Sequence, residues 1–141
     1  MSCWSYVNSV VKINSTEPIK DFFIIFGKEC LWESPNETWD DAYHHPDQYL
    51  PIGSEGSLYL KSRLMTRIPS SKYPYRYKIT IEGSLRDFTS WKKLISWFEK
   101  SLQKIPGKTQ ISASINAECD YNGVYNWSHT DYGYKDPFFY K

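Results

Sequence analysis

The chain has 141 residues, 40% of them hydrophobic and 18% aromatic, with six Trp and twelve Tyr. That length predicts one domain, residues 1–141, with a single modest core, and the aromatic content excludes a disordered chain even though the average hydropathy is polar. The formal net charge is +1, close to neutral for the whole chain.

The small net charge conceals a segregation. Seven acidic residues and no Lys or Arg lie between Glu29 and Leu60, whereas twelve basic and three acidic residues lie between Lys61 and Lys108. One part of the surface is expected to be negative and another positive, a pattern that concerns partners more than fold. No signal-type h-region opens the chain, and no run approaches the ~18 apolar residues of a membrane span, so a soluble, intracellular protein is expected. In that compartment the acceptor patterns at Asn14, Asn36 and Asn126 read as ordinary polar sequence. Cys3, Cys30 and Cys119 are odd in number and far apart, and are expected to be buried free thiols.

Trp4 to Asn14 alternates, with Val7, Val11 and Ile13 on one face and Tyr6, Asn8, Val10 and Lys12 on the other, which predicts a first strand. Ser15 or Thr16 followed by Pro18, with Ile19, Phe22, Phe23, Phe26 and Cys30 at helical spacing, predicts a helix over Glu17 to Cys30. The run F-F-I-I-F leaves a strand reading open there. Residues 32–57 read as a long acidic loop carrying Trp32, Trp39, Tyr43 and Tyr49. Loops of that length are uncommon and usually functional or mobile.

Leu58, Leu60, Ser62 and Leu64 alternate with Tyr59, Lys61 and Arg63, predicting a second strand. A third runs from Arg76 to Glu82 and pairs with it. After Gly83 and a cap at Asp87, the stripe Phe88, Trp91, Leu94, Ile95, Phe98 and Leu102 predicts the second helix, ending at Pro106 and Gly107. Strict alternation from Gln110 to Cys119 predicts a fourth strand. The order β-α-β-β-α-β points to an α+β ferredoxin-like sandwich, a four-stranded antiparallel sheet with two helices on one face. Residues 120–141 add an aromatic tail, expected to pack on a sheet edge or the open face or to form part of a partner site.

The stretch D-D-A-Y-H-H-P-D, Asp40 to Asp47, offers ligand-type residues without ligand spacing. Adjacent histidines point apart in an extended chain and Pro46 removes helical continuity. A metal-dependent hydrolase centred on His44, His45 and Asp47 is therefore the weakest reading. No cofactor and no catalytic residue is assigned, and the chain reads as a binding protein and not an enzyme.

Two binding surfaces stand out. Trp39, Asp40, Asp41, Tyr43, Asp47 and Tyr49 place carboxylates among flat rings, which imitates nucleic acid and suits the basic channel of a nuclease. Tyr6, Tyr59, Lys61, Arg63, Arg76 and Lys78 would share the sheet face opposite the helices, a basic aromatic platform for a nucleotide, a cyclic oligonucleotide or RNA. The phosphate-cradling G-x-x-x-x-G-K motif is absent.

The motifs W-S-Y-V-N near the start, G-S-E-G before the second strand and E-G-S-L-R-D before the second helix resemble small proteins of tailed phages and prophages. The acidic insertion and the aromatic tail depart from that pattern. The resemblance implies a bacterial host cytoplasm and an anti-defence role of the anti-CRISPR type, by direct binding of a host effector or nuclease or by sequestering its signal. It implies no catalytic residue.

Overall fold

A computed structural model describes residues 3–32, 38–67, 72–88, 90–106, 109–119 and 123–131. Strands β1 (Trp4–Ser15), β2 (Leu58–Arg67), β3 (Tyr75–Arg86), β4 (Thr109–Cys119) and β5 (Gly123–Asp131) form one sheet in the order β2-β3-β1-β4-β5, with every neighbouring pair antiparallel. The helices are α1 (Phe22–Phe26), α2 (Trp39–His44) and α3 (Trp91–Gln103), with a 3-10 turn at Pro46–Gln48. No helix among the described residues is long and apolar enough to cross a membrane.

This corrects the expected four-stranded ferredoxin-like sandwich with two helices on one face. Among the described residues the sheet has five strands, and only α3, at thirteen residues, is a substantial helix. The predicted helix over Glu17 to Cys30 shrinks to five residues for local reasons. The Ser15 hydroxyl donates to the Glu17 carbonyl and accepts its N–H, closing β1 with a turn and leaving no helix cap there. Asp21 caps α1 instead, accepting the Phe23 N–H at 2.9 Å. Gly27 ends it at φ 120°, where a Cβ would stand 2.4 Å from the Tyr49 carbonyl carbon.

The fifth strand comes from the aromatic tail. Residues 123–131 pair with β4 from Cys119↔Gly123 to Ile111↔Asp131, while 120–122 and 132–141 lie outside the described residues. Tyr125 and Trp127 face the helix layer, with Trp127 edge-on to Phe98 at 5.4 Å and Tyr125 beside Trp91 at 6.5 Å.

Period-two alternation explains the core. Val7, Val11 and Ile13 of β1, Ile79 and Ile81 of β3, and Ile111 and Ile115 of β4 are buried on one face. Phe22, Ile25 and Phe26 of α1 and Leu94, Ile95, Phe98 and Leu102 of α3 cover them. Each such side chain contributes about 1.5–3 kcal/mol by burial. Helix α3 begins at Ser90, whose hydroxyl accepts the Lys93 N–H at 3.3 Å, and not at Asp87. The reason is that β3 continues through Gly83 to Arg86, held opposite Val7 to Trp4 of β1.

Cys3 and Cys119 are joined as a disulfide 116 residues apart in sequence, which corrects the expectation of free thiols for this pair. Cys30 is a buried thiol outside any disulfide. The sheet brings the two together, because Ser5 is the partner of Cys119 in the β1–β4 ladder. Beside the bridge, Asp87 takes φ 56° and its carboxylate accepts the Cys3 N–H at 3.1 Å and the Ser54 hydroxyl at 3.1 Å. The bond from Cys3, aided by Ser54 and Arg86, holds the Asp87 carboxyl below the usual carboxylate range.

Two expectations follow. A crosslink closing a loop of this length stabilises by about 4–5 kcal/mol in the chain-entropy account. Cys3→Ser should therefore lower the melting temperature markedly, and unreduced, denatured wild type should titrate one thiol per chain and not three. Glu99 of α3 is half-buried, with Oε1 lacking a hydrogen-bond partner among the described residues, and burial raises its pKa. A raised carboxyl pKa favours the fold below the ordinary value and costs stability as pH rises through the folded value. Glu99→Gln should raise the melting temperature at pH 7, with the gain vanishing below about pH 4, the ordinary carboxyl range.

Candidate nucleic-acid interface

Residues pointing away from the core fall into rows across the strands. Arg63 of β2, Lys78 of β3 and Lys12 of β1 are successive partners in one row, which continues to Ser112 of β4. The next row holds Lys61, Thr80, Val10, Ser114 and Ser128. Beyond it come Tyr59, Glu82, Asn8, Asn116 and Asn126, and on the far side of the basic row Arg76 is partnered with Asn14. The sheet thus brings together all six residues assigned to this face from sequence: Tyr6, Tyr59, Lys61, Arg63, Arg76 and Lys78.

Lys12, Lys61, Arg63 and Lys78 are exposed, and none of these, nor half-buried Arg76, forms an ion pair with the described residues. The Arg76 Nε is buried without a hydrogen-bond partner among them. Tyr6 is 57% and Tyr59 47% exposed. Large rings left this open beside unpaired cations are the two components that hold bases and phosphates. Lys12 was not assigned to the site from sequence. Its signal was the β1 alternation, but its place between Lys78 and Ser112 needs the register.

The acidic segment has a different character. Residues 38–57 hold α2 and the 3-10 turn inside the stretch expected to be a loop, over a small cluster of Cys30, Ala42 and Tyr49 bordered by Trp32, Trp39 and Ile52. Tyr49 is buried, and its hydroxyl donates to the Asp41 carboxylate, a bond that raises the phenol pKa. Half-buried Trp39 donates through Nε1 to the Gly53 carbonyl at 3.1 Å. Tyr43 stacks on it at 5.0 Å and is 62% exposed, while Asp40 and Asp47 are exposed.

His44 and His45 stand one turn after Asp40 and Asp41, at 3.7 and 3.9 Å. His44 Nδ1 also bonds the Asp40 carbonyl at 2.8 Å. Among the described residues, no group of three or more His, Cys, Asp or Glu is placed to hold a metal ion. The histidines pair with the turn before them and do not converge with Asp47.

Like charges directly opposite in a ladder cost about 0.2–1 kcal/mol per pair. Lys78, flanked by Arg63 and Lys12, carries two such pairs. Lys78→Thr should therefore raise the melting temperature, more at low than at high salt, because screening already weakens exposed charge repulsion. Comparison of the chain with protein-family models, curated proteins and solved structures finds no match.

Proposed function

We propose that the protein binds single-stranded nucleic acid or a phosphate-rich oligonucleotide on the open face of its sheet. The observation that carries this reading is the row Arg63, Lys78 and Lys12, three cations side by side with no ion pair among the described residues, extended by Lys61 and Arg76 and bordered by exposed Tyr59. The repulsion in that row burdens the fold, and a polyanion relieves it. Phosphates supply the counter-charge and the tyrosine rings supply stacking.

A second reading keeps the acidic segment as a nucleic-acid mimic that blocks a host defence effector, in line with the resemblance to phage proteins. Exposed Tyr43 stacked on Trp39, next to exposed Asp40 and Asp47, favours it. Against it stand the burial of Tyr49, which withdraws one of the six assigned residues from an external partner, and the engagement of one oxygen of exposed Asp41 by that residue's hydroxyl. Sequestration of a nucleotide signal by the sheet face serves the same anti-defence role without the acidic segment.

Fluorescence anisotropy with labelled single-stranded RNA and DNA of about ten nucleotides tests the leading reading. Arg63→Ala with Lys78→Ala should weaken binding at least ten-fold and flatten its salt dependence, each lost phosphate contact removing about 0.7 from the logarithmic slope. Asp40→Lys with Asp41→Lys should leave binding intact. Absence of binding by the wild type at low salt would sink the proposal and leave the acidic segment as the remaining surface.

A further inference from the structure

The open face is divided chemically along the strands. Cations gather at one end, on Lys12, Lys61, Arg63, Arg76 and Lys78, whereas the other end carries Tyr6, Tyr59, three asparagines and two carboxylates, Glu82 and Glu118. Phosphates are drawn to the first end and repelled from the second. With about 3.4 Å per residue along a strand, the Glu82 row and the Arg63–Lys78–Lys12 row stand about 14 Å apart. That separation matches the reach from a base edge through its sugar to one or more phosphates.

Two hollows occupy the acidic end, and Tyr6 is the partition between them. The larger, about 550 Å³, is lined by Tyr6, Tyr59, Lys61, Thr80, Glu82 and Ser84. The smaller, about 360 Å³, is lined by Tyr6, Asn8, Asn116, Glu118, Val124 and Asn126. Each holds one exposed carboxylate, and neither Glu82 nor Glu118 forms an ion pair with the described residues. Glu82 stays unpaired although Lys61 is only a diagonal neighbour, partnered with Thr80 in the adjacent row.

An unpaired carboxylate beside a ring on a face that otherwise attracts phosphate selects for ligand groups that donate. Among the bases, guanine alone presents two parallel N–H donors, N1–H and the 2-amino group, which a carboxylate accepts as a bidentate pair. Adenine and cytosine each set a lone pair beside their amino group, and uracil flanks its single N–H with carbonyls, so each meets the carboxylate with a repulsive contact. The asparagine amides of the second hollow both donate and accept, which suits the neighbouring O6 and N7 acceptors.

We propose that this end of the sheet is a guanine-selective site for a two-base segment, one base on each side of Tyr6, against Glu82 in the larger hollow and Glu118 in the smaller. The sugar-phosphate backbone then runs toward Lys61 and the Arg63–Lys78–Lys12 row. This assignment rests on the nucleic-acid reading above and adds base identity to it.

The test is anisotropy with four labelled RNA hexamers, uridine throughout except for a central GG, AA, CC or UU. The GG hexamer should bind at least ten-fold more tightly than the others. Glu82→Gln with Glu118→Gln should abolish that preference by weakening the GG hexamer while strengthening the AA hexamer, because one donor of each new amide faces a guanine donor whereas the amide matches the amino group and adjacent lone pair of adenine. Tyr6→Leu should weaken all four. Equal affinities for the four hexamers would overturn the base assignment while preserving the nucleic-acid reading. So would a Gln double variant that raised all four affinities together, the behaviour of carboxylates that merely repel phosphate. Failure of every hexamer to bind would overturn both.

Discussion

Strand β1 is paired along its length on both edges, with β3 on one side and β4 on the other, and the rest of the molecule depends on the register of those two ladders. A strand's side chains alternate with period two, so a slip of one residue would turn Lys12 and Tyr6 into the core and expose Val11 and Val7. The cost of burying an unpaired ammonium far exceeds that of any single packing defect, so the register is strongly specified. The Cys3–Cys119 bridge and the Asp87 carboxylate on the Cys3 N–H secure one end of β1, and the Ser15–Glu17 turn closes the other. Both candidate surfaces on the open face inherit their geometry from this one strand.

Apolar burial and ion-pair-free charge lie on opposite faces of the same sheet. The helix side carries the apolar burial, with α3 and β5 meeting through Phe98 and Trp127. The open side carries like charges in adjacent positions, rings in solvent and carboxylates without an ion pair among the described residues, none of which favours folding. Local conflicts of this kind concentrate where a protein contacts something else. The acidic segment shows the reverse: much of its unusual chemistry is satisfied internally, by Tyr49 on Asp41, by Trp39 on Gly53 and by the histidines on the preceding turn. Among the described residues, the charge segregation of the sequence therefore resolves into a basic sheet face without ion pairs and an acidic segment that is partly compensated.

Alternation made β1 and β4 legible to within a residue of their observed ends, and the apolar stripe located α3. The open-face cations were legible too, because Lys61, Arg63, Arg76 and Lys78 fall opposite the apolar positions of their own strands. Gly83 was misleading: it reads as a turn before a helix, yet it lies within β3 because β1 pairs past it, and a Cβ there would stand 2.4 Å from the Ser57 carbonyl oxygen. The helical spacing of Ile19, Phe22, Phe23, Phe26 and Cys30 suggests a longer helix than the five residues that form between the Asp21 cap and Gly27, where the chain must pass against Tyr49 and Leu50. Residues 123–131 were legible as part of an aromatic tail, but not as a strand with a partner.

What the sequence by itself determined is whatever repeats over a few residues: which side chains share a face, where a helix carries an apolar stripe, and which segments are acidic or basic. Tertiary structure alone decided what joins residues far apart in the chain. It made the fifth strand, the bridge between Cys3 and Cys119, the setting of Lys12 between Lys78 and Ser112, and the placing of Glu82 and Glu118 on either side of Tyr6. The physical reason is that intrastrand periodicity is a property of the backbone, whereas cross-strand neighbours follow from pairing partners and register, which are chosen by the burial of the whole sheet at once.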